Sequence, residues 1–287
     1  MDLTRTTQVR YKYIQFFDIV AKKDKSCAPD LSDSGIFAAA LLVAVLGFFA
    51  PKFLASIFTW MVLPPLHARF VGAIYLFGSV YMAGCLAARA QAEVRWAVQL
   101  IGVWTGMMFI ISLLNLKAFD FRLLPVWIWF ISYITYPLIS IWMTWRQHKP
   151  QPADTLPGPS LPAWSKGFLL TQGIVISVLA VLLFFIPTFM STIWPWKVTP
   201  LLAQMYAGPL LSYGLGSLLF SRQDKCLGIR AIVPGMFAFT AGTVIVSVMH
   251  INLFSFTELA DLLWFGSFSI ATGLLGMLTV RALQARA

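Results

Sequence analysis

Eight long stretches without a charged side chain constrain this chain more than any other feature. They are Gly35–Ala50, Phe70–Ala88, Trp96–Leu116, Leu123–Trp145, Gly167–Ile186, Met205–Ser221, Ala231–Thr257 and Leu262–Val280. A helix needs roughly twenty residues to cross the hydrocarbon layer of a bilayer, and each stretch meets or approaches that length. None shows the alternation of polar and apolar residues that marks a membrane β-barrel. The sequence therefore predicts an all-α integral membrane protein with eight transmembrane helices.

The composition supports this fold class. Charged residues make up 11% of the chain and hydrophobic residues 59%, whereas about 25% of the residues in an ordinary soluble domain are charged. A soluble globule and a disordered chain are both excluded. The formal net charge is +10, but the basic residues lie between the apolar stretches, so we do not expect a nucleic-acid partner. The three cysteines are widely spaced and predict neither a disulfide framework nor a zinc site.

The distribution of Lys and Arg predicts the orientation in the membrane. Eight crossings place both termini on one side, and that side then holds 16 of the 21 basic residues, with five on the other. Basic loops favour the cytoplasmic side. The sequence therefore predicts a multi-pass protein of a cytoplasmic-type membrane, such as a bacterial inner membrane, with both termini cytosolic. Residues 1–33 are expected to form a cytosolic N-terminal tail.

The chain also contains an internal duplication. When it is shifted by 135 residues, Pro65–Arg146 aligns with Pro200–Arg281 without a gap over 82 positions, and 17 pairs are identical. The identities include polar and aromatic landmarks, such as Trp129 with Trp264, as well as common apolar residues. This pattern is typical of a repeated unit rather than of chance similarity within a biased composition.

Each repeat contains four predicted spans, which divides the chain into four parts. After the tail come a first four-helix unit at 34–146, a proline-rich cytosolic linker at 147–166 and a second four-helix unit at 167–287. Because a unit with an even number of spans repeats in the same orientation, we expect two parallel four-helix repeats. Their pseudo-two-fold axis is expected to run along the membrane normal.

Polar side chains recur at the same positions of both copies. In the first copy they are Thr105, Ser112 and Asn115, and in the second they are Thr240, Ser247 and His250. Such side chains in lipid seek hydrogen-bond partners on neighbouring helices, so one interpretation is structural. The alternative is that the two stripes line a ligand cavity between the repeats. The G-x-x-x-G spacing of Gly102 and Gly106 predicts close helix packing.

A second group of polar residues is expected at the outer membrane interface. It comprises His67, Arg69, His250, Glu258 and Asp261. The two histidines would have to converge to form a metal or anion site, and we predict no metal site and assign no catalytic residue. The tryptophans Trp60, Trp194 and Trp196 are expected nearby, as anchors in the headgroup region or as a rim over a hydrophobic pocket.

Three functional hypotheses follow. The first is a non-catalytic membrane subunit or accessory protein that binds partner chains or lipids through its aromatic-rich exterior. The second is a carrier or binder of a hydrophobic small molecule, such as a lipid, quinone, isoprenoid or pigment, in a cavity between the repeats. The third is an enzyme or metal site at the outer surface. No charged residue interrupts the predicted spans, which argues against a proton-coupled pump or an ion channel, and the sequence identifies no cofactor.

Overall fold

The computed structural model describes residues 31–58, 65–88, 96–146 and 159–284. These residues form helices and connecting turns, and the strand-like pairing within them is a single antiparallel bridge between Ser160 and Lys225. The helices are α1 (Leu31–Phe49), α2 (Pro51–Ile57), α3 (Leu66–Leu86), α4 (Ala97–Leu114), α5 (Leu124–Arg146), α6 (Ala163–Phe185), α7 (Pro187–Ile193), α8 (Pro200–Phe220), α9 (Val233–Met249) and α10 (Leu259–Gln284). The predicted tail before Leu31, the linker over 147–158 and Trp60 lie outside the described residues.

Five of these helices are long and apolar enough to cross a membrane. They are α3, α4, α5, α6 and α10, and α1 and α9 contribute shorter apolar segments. Charged side chains are nearly absent from these helices because a helix surrounded by lipid cannot hydrate them. The described part of the chain is therefore a membrane-embedded helical protein, and each of the eight predicted stretches coincides with a helix of 17 or more residues.

A proline begins a short helix at the same place in each half. Pro51 follows Ala50, which has φ −130° and ψ 55°, and Pro187 follows Ile186, which has φ −128° and ψ 51°. Proline lacks a backbone N–H and is well accommodated in the first turn of a helix. The long helix therefore stops, and a seven-residue helix continues in a new direction in both halves.

The turn after the third long helix also recurs. Asn115 ends α4 with φ −122° and ψ 33°, and His250 ends α9 with φ −120° and ψ 30°. A short 3₁₀ turn follows each of them. Two phenylalanines then pack edge to face, with ring centroids 5.2 Å apart for Phe119 and Phe130 and 5.1 Å apart for the equivalent pair in the second half.

Helix packing joins the two halves of the chain. Within the halves, α1 packs on α3, α6 on α8, α4 on α5 and α9 on α10. Across them, α3 packs on α9 and α8 packs on α4. Small residues permit these contacts: a Cβ atom on Gly47 would lie 2.6 Å from the Gly72 Cα, and one on Gly235 would lie 2.9 Å from the Phe77 carbonyl oxygen. Close approach of backbones is a common way to hold helices together in lipid.

The end of the linker pairs with the turn after α8. The Leu161 N–H donates to the Asp224 carbonyl at 2.8 Å, and the Cys226 N–H donates to the Pro159 carbonyl at 3.0 Å. The Lys166 ammonium and the Asp224 carboxylate form an ion pair between exposed side chains. The hydrogen bond from Lys166 lowers the pKa of the Asp224 carboxyl. The start of α6 is thereby attached to the turn between α8 and α9.

Candidate ligand cavity and polar sites

The two serines of the polar stripes make the same hydrogen bonds in both halves. Ser112 donates to the Met108 carbonyl and Ser247 to the Thr243 carbonyl, both at 2.8 Å. Each hydroxyl accepts an indole N–H at 2.9 Å, from Trp129 on α5 in the first case and from the equivalent indole of α10 in the second. Both serines are fully buried. Each therefore links the third and fourth long helices of its half.

The other stripe residues lie in different surroundings. Thr105 donates to the Ile101 carbonyl at 2.8 Å, and Thr240 donates to the Phe237 carbonyl at 3.1 Å. The Asn115 amide donates to the Gln204 side-chain oxygen at 3.0 Å, which connects α4 to α8 of the other half. Of the stripe residues, Thr105 lines the large cavity described below.

The structure brings together only part of the predicted outer cluster. The Arg69 Nη1 lies 2.6 Å from the His250 Nε2. His67 is buried and lies apart from that pair, with its Nδ1 3.2 Å from the Trp196 indole nitrogen and 3.3 Å from the Tyr206 hydroxyl oxygen. Within the described residues, no group of three His, Cys, Asp or Glu side chains is placed to hold a metal ion.

The acidic residues of that cluster also separate. Glu258 is exposed, whereas Asp261 is 4% exposed and accepts the Ser255 backbone N–H at 2.5 Å. Asp261 therefore closes the turn before α10, as carboxylates often do near the start of a helix. The two predicted tryptophans of the second half are also buried, at 8% exposure for Trp194 and 5% for Trp196. They pack against Trp264 rather than extending from the protein surface.

The contact between Arg69 and His250 fixes the protonation state of the histidine. Arginine only donates hydrogen bonds, so the His250 Nε2 must accept and the imidazole must be neutral. Burial, followed by the neighbouring Arg69 charge, lowers the pKa of His250 below its ordinary value. The contact ties the start of α3 to the end of α9 and so helps to join the two halves.

A cavity of about 450 Å³ lies among α1, α3, α4 and α5 of the first half. The described residues of its walls include eight aromatic side chains: Phe58, Tyr75, Phe77, Tyr81, Trp104, Trp129, Tyr133 and Tyr136. The second half contributes Ser212 from α8. The described lining residues include no Asp, Glu, Lys, Arg or His. The site is thus a mostly apolar cavity, as is usual for pockets that hold small apolar ligands. Seven of the described lining residues carry a hydroxyl group: Tyr75, Tyr81, Thr105, Ser132, Tyr133, Tyr136 and Ser212.

A glycine in the wall of the cavity distinguishes the first half from the second. Gly78 on α3 faces Trp104, and a Cβ atom there would lie 3.2 Å from the indole ring. The equivalent position in the second half is Tyr213, whose ring packs on Phe239 with centroids 5.5 Å apart. Phe239 is the counterpart of Trp104. In the first half the Trp104 ring therefore packs directly against a glycine, whereas in the second half the ring at the same position packs against a tyrosine.

The tyrosines of the cavity were missed by the sequence reasoning, although the repeat carries a signal for them. Tyr75, Tyr81, Tyr133 and Tyr136 all line the cavity, and their counterparts in the second copy are Leu210, Gly216, Phe268 and Ala271. Four of the eight tyrosines of the chain therefore differ from their counterparts in the other copy, and all four line the cavity. Polar residues without a counterpart in the other copy are therefore the sequence signal for these tyrosines.

Comparison with known proteins adds no family assignment. No family model, no curated protein and no solved structure matches the chain.

Proposed function

We propose that this protein binds a neutral, largely apolar small molecule, of the lipid, quinone, isoprenoid or pigment class, in its aromatic cavity. The observation that carries the proposal is the cavity itself, whose volume of about 450 Å³ is lined by eight aromatic side chains and no charged one among the described residues. Pockets of roughly 300–1,000 Å³ accommodate drug-sized ligands. Helices that pack only against one another would leave no such space, since protein interiors are otherwise close-packed.

The membrane setting belongs to the same proposal. Eight crossings with both termini in the cytosol are supported by the coincidence of eight helices with eight charge-free stretches. The excess of Lys and Arg on the side of the termini supports that orientation. The recurrence of the Ser–Trp hydrogen bonds and of the phenylalanine pairs supports two repeats related by a pseudo-two-fold axis.

The alternative is a non-catalytic accessory subunit of a membrane complex. Large apolar side chains on the outer faces of α5 and α6 favour it, for example Ile131 at 60% exposure and Val175 at 57%. Surrounding lipid covers such faces equally well, so they do not discriminate between the two functions. An outer-surface enzyme has less support, because the five residues expected there do not converge on one site.

The experiment fills the cavity from two of its helices, α1 and α5. Ala39→Trp on α1 and Ser132→Trp on α5 each add an indole at a lining position. Ala38→Trp is the matched control, because Ala38 is exposed on the same helix and does not line the cavity. Each variant is purified from its native membrane into lipid nanodiscs, and the copurifying molecules are extracted and quantified by mass spectrometry.

We expect one neutral apolar species to accompany the wild type and Ala38→Trp in equal amounts. Both filled variants should lose it while retaining the wild-type elution profile. If the filled variants carry the same molecules in the same amounts as the control, the cavity is not a binding site. If copurifying polypeptides are lost instead, the accessory-subunit alternative is favoured.

A further inference from the structure

The hydroxyl groups of the cavity differ in what they can offer a ligand. Thr105 donates to the Ile101 carbonyl and Ser212 to the Leu100 carbonyl, each at 2.8 Å, so both protons are used within the protein. The Trp129 indole N–H is also used, by Ser112. These three polar groups therefore serve the packing of the helices around the cavity.

Two tyrosines are arranged differently. Tyr75 lies on α3 and Tyr133 on α5, and their hydroxyl oxygens are 2.6 Å apart. One hydroxyl must donate its proton to the other. Each tyrosine hydroxyl has one proton and can also accept a hydrogen bond. One of the two protons lies in the hydrogen bond between the tyrosines, and the other is available to a third group. The pair therefore retains one donor beside a mostly apolar space. The Tyr81 hydroxyl, which also belongs to a lining residue, is buried without a hydrogen-bond partner, but it stands alone rather than in a pair.

The surroundings of this tyrosine pair are flat aromatic surfaces. The Trp104 ring lies edge-on to Tyr75 with centroids 5.6 Å apart, and the Trp129 ring lies 4.3 Å from that of Tyr133. The fold does not require the two hydroxyls, because the counterparts in the second half are Leu210 and Phe268. Buried polar groups that are not needed for packing are reasonable candidates for ligand contacts.

We infer that the Tyr75–Tyr133 pair recognises one oxygen atom, a carbonyl or a hydroxyl, on a neutral ligand whose remaining body is apolar. This inference rests on the proposed function and narrows its substrate class. A pure hydrocarbon would leave the donor unused, and an anionic head would be buried without a counter-charge, which is strongly disfavoured. The pair thus selects for a neutral oxygen-bearing lipid such as a prenylated quinone or a prenyl alcohol.

The test compares three probes that share one tail. They are a prenylated 1,4-benzoquinone, a prenyl alcohol and a prenylated benzene without oxygen, and their binding to the protein in nanodiscs is measured by native mass spectrometry. The variants are Tyr75→Phe, Tyr133→Phe and the double variant, all of which keep the aromatic volume. Tyr213→Phe is the control, because this tyrosine is buried outside the cavity.

We expect the double variant to bind the oxygen-bearing probe about tenfold more weakly, the order of a single hydrogen bond. Its affinity for the hydrocarbon should be unchanged. Each single variant retains one hydroxyl and should lie between the double variant and the wild type.

Two outcomes would overturn the inference. The first is a double variant that binds the quinone and the alcohol as tightly as the wild type does. The second is an equal loss of all three probes, since that would report a change of shape rather than of hydrogen bonding. Failure of the proposed function looks different: no probe binds the wild type, or Ser132→Trp binds the hydrocarbon as well as the wild type does.

Discussion

The two glycines of the G-x-x-x-G motif on α4 should respond differently to substitution by alanine. A Cβ atom on Gly102 would lie 2.9 Å from the Ser140 Cβ on α5, and closer still to the Ser140 hydroxyl. Rotation of the serine side chain cannot move its Cβ, so the helices must shift. On Gly106 the nearest atom would be the Pro137 Cβ at 3.8 Å, which is ordinary contact.

The magnitude follows from two losses. Forcing an extra methyl group into a packed contact costs roughly 1–3 kcal/mol. Ser140 is 6% exposed and donates to the Val98 carbonyl at 2.5 Å, and loss of such a hydrogen bond costs about 0.5–1.5 kcal/mol. In both variants, the higher helix propensity of alanine raises the free energy of unfolding by up to about 1 kcal/mol. This contribution cancels when the two variants are compared. We therefore expect Gly102→Ala to be less stable than Gly106→Ala by roughly 2–4 kcal/mol.

The assay is reversible denaturant unfolding of both variants in the same detergent, followed by tryptophan fluorescence. A double variant tests the cause, because Ser140→Gly removes the atoms that the new methyl group meets. Gly102→Ala combined with Ser140→Gly should be more stable than Gly102→Ala alone, since residues in direct contact are not additive. Equal stabilities of the two alanine variants, or no recovery in the double variant, would contradict a steric clash between the new methyl group and Ser140.

Two further predictions concern polar contacts. Ser112→Ala and Ser247→Ala each leave a buried indole N–H without its acceptor, so both should lower the free energy of unfolding by roughly 1–3 kcal/mol, and by similar amounts because both bonds are 2.9 Å long. A large effect of one and none of the other would contradict the equivalence of the two contacts. The pKa of His250 is lowered in the folded state, so below about pH 6.5 the folded state binds fewer protons than the unfolded state. The free energy of unfolding of the wild type should therefore decrease as the pH is lowered through this range. His250→Gln should reduce this pH dependence, and an unchanged slope between pH 5 and 7 would argue against it.

The positions of the helices could be predicted because lipid excludes charge so strongly. Each long stretch without Lys, Arg, Asp or Glu coincides with a helix. The pairing of Ser112 with Trp129 was also within reach, because both residues recur at one offset in the repeat. Gly102 lies at a close helix contact, as the G-x-x-x-G spacing predicts, whereas Gly106 makes only an ordinary contact. The spacing alone does not show which glycine faces the neighbouring helix.

The packing between halves could not be predicted. In water, an apolar stripe shows which face of a helix is buried, but helices in lipid are apolar on all faces and associate through shape and hydrogen bonds. The sequence therefore carries no simple signal that α3 packs on α9 and α8 on α4. The cavity depends on that packing. The difference between Gly78 and Tyr213 can be interpreted only when the neighbours of each residue are known.

The most direct test of the account is a density map of the protein in nanodiscs prepared from its native membrane. We predict continuous density inside the cavity among α1, α3, α4 and α5, in contact with Tyr75 and Tyr133 and belonging to a neutral molecule. The Ser132→Trp variant should lack this density. A cavity closed by the side chains of the protein, or occupied by the tail of a phospholipid whose phosphate lies in the bilayer surface, would contradict the proposed binding site.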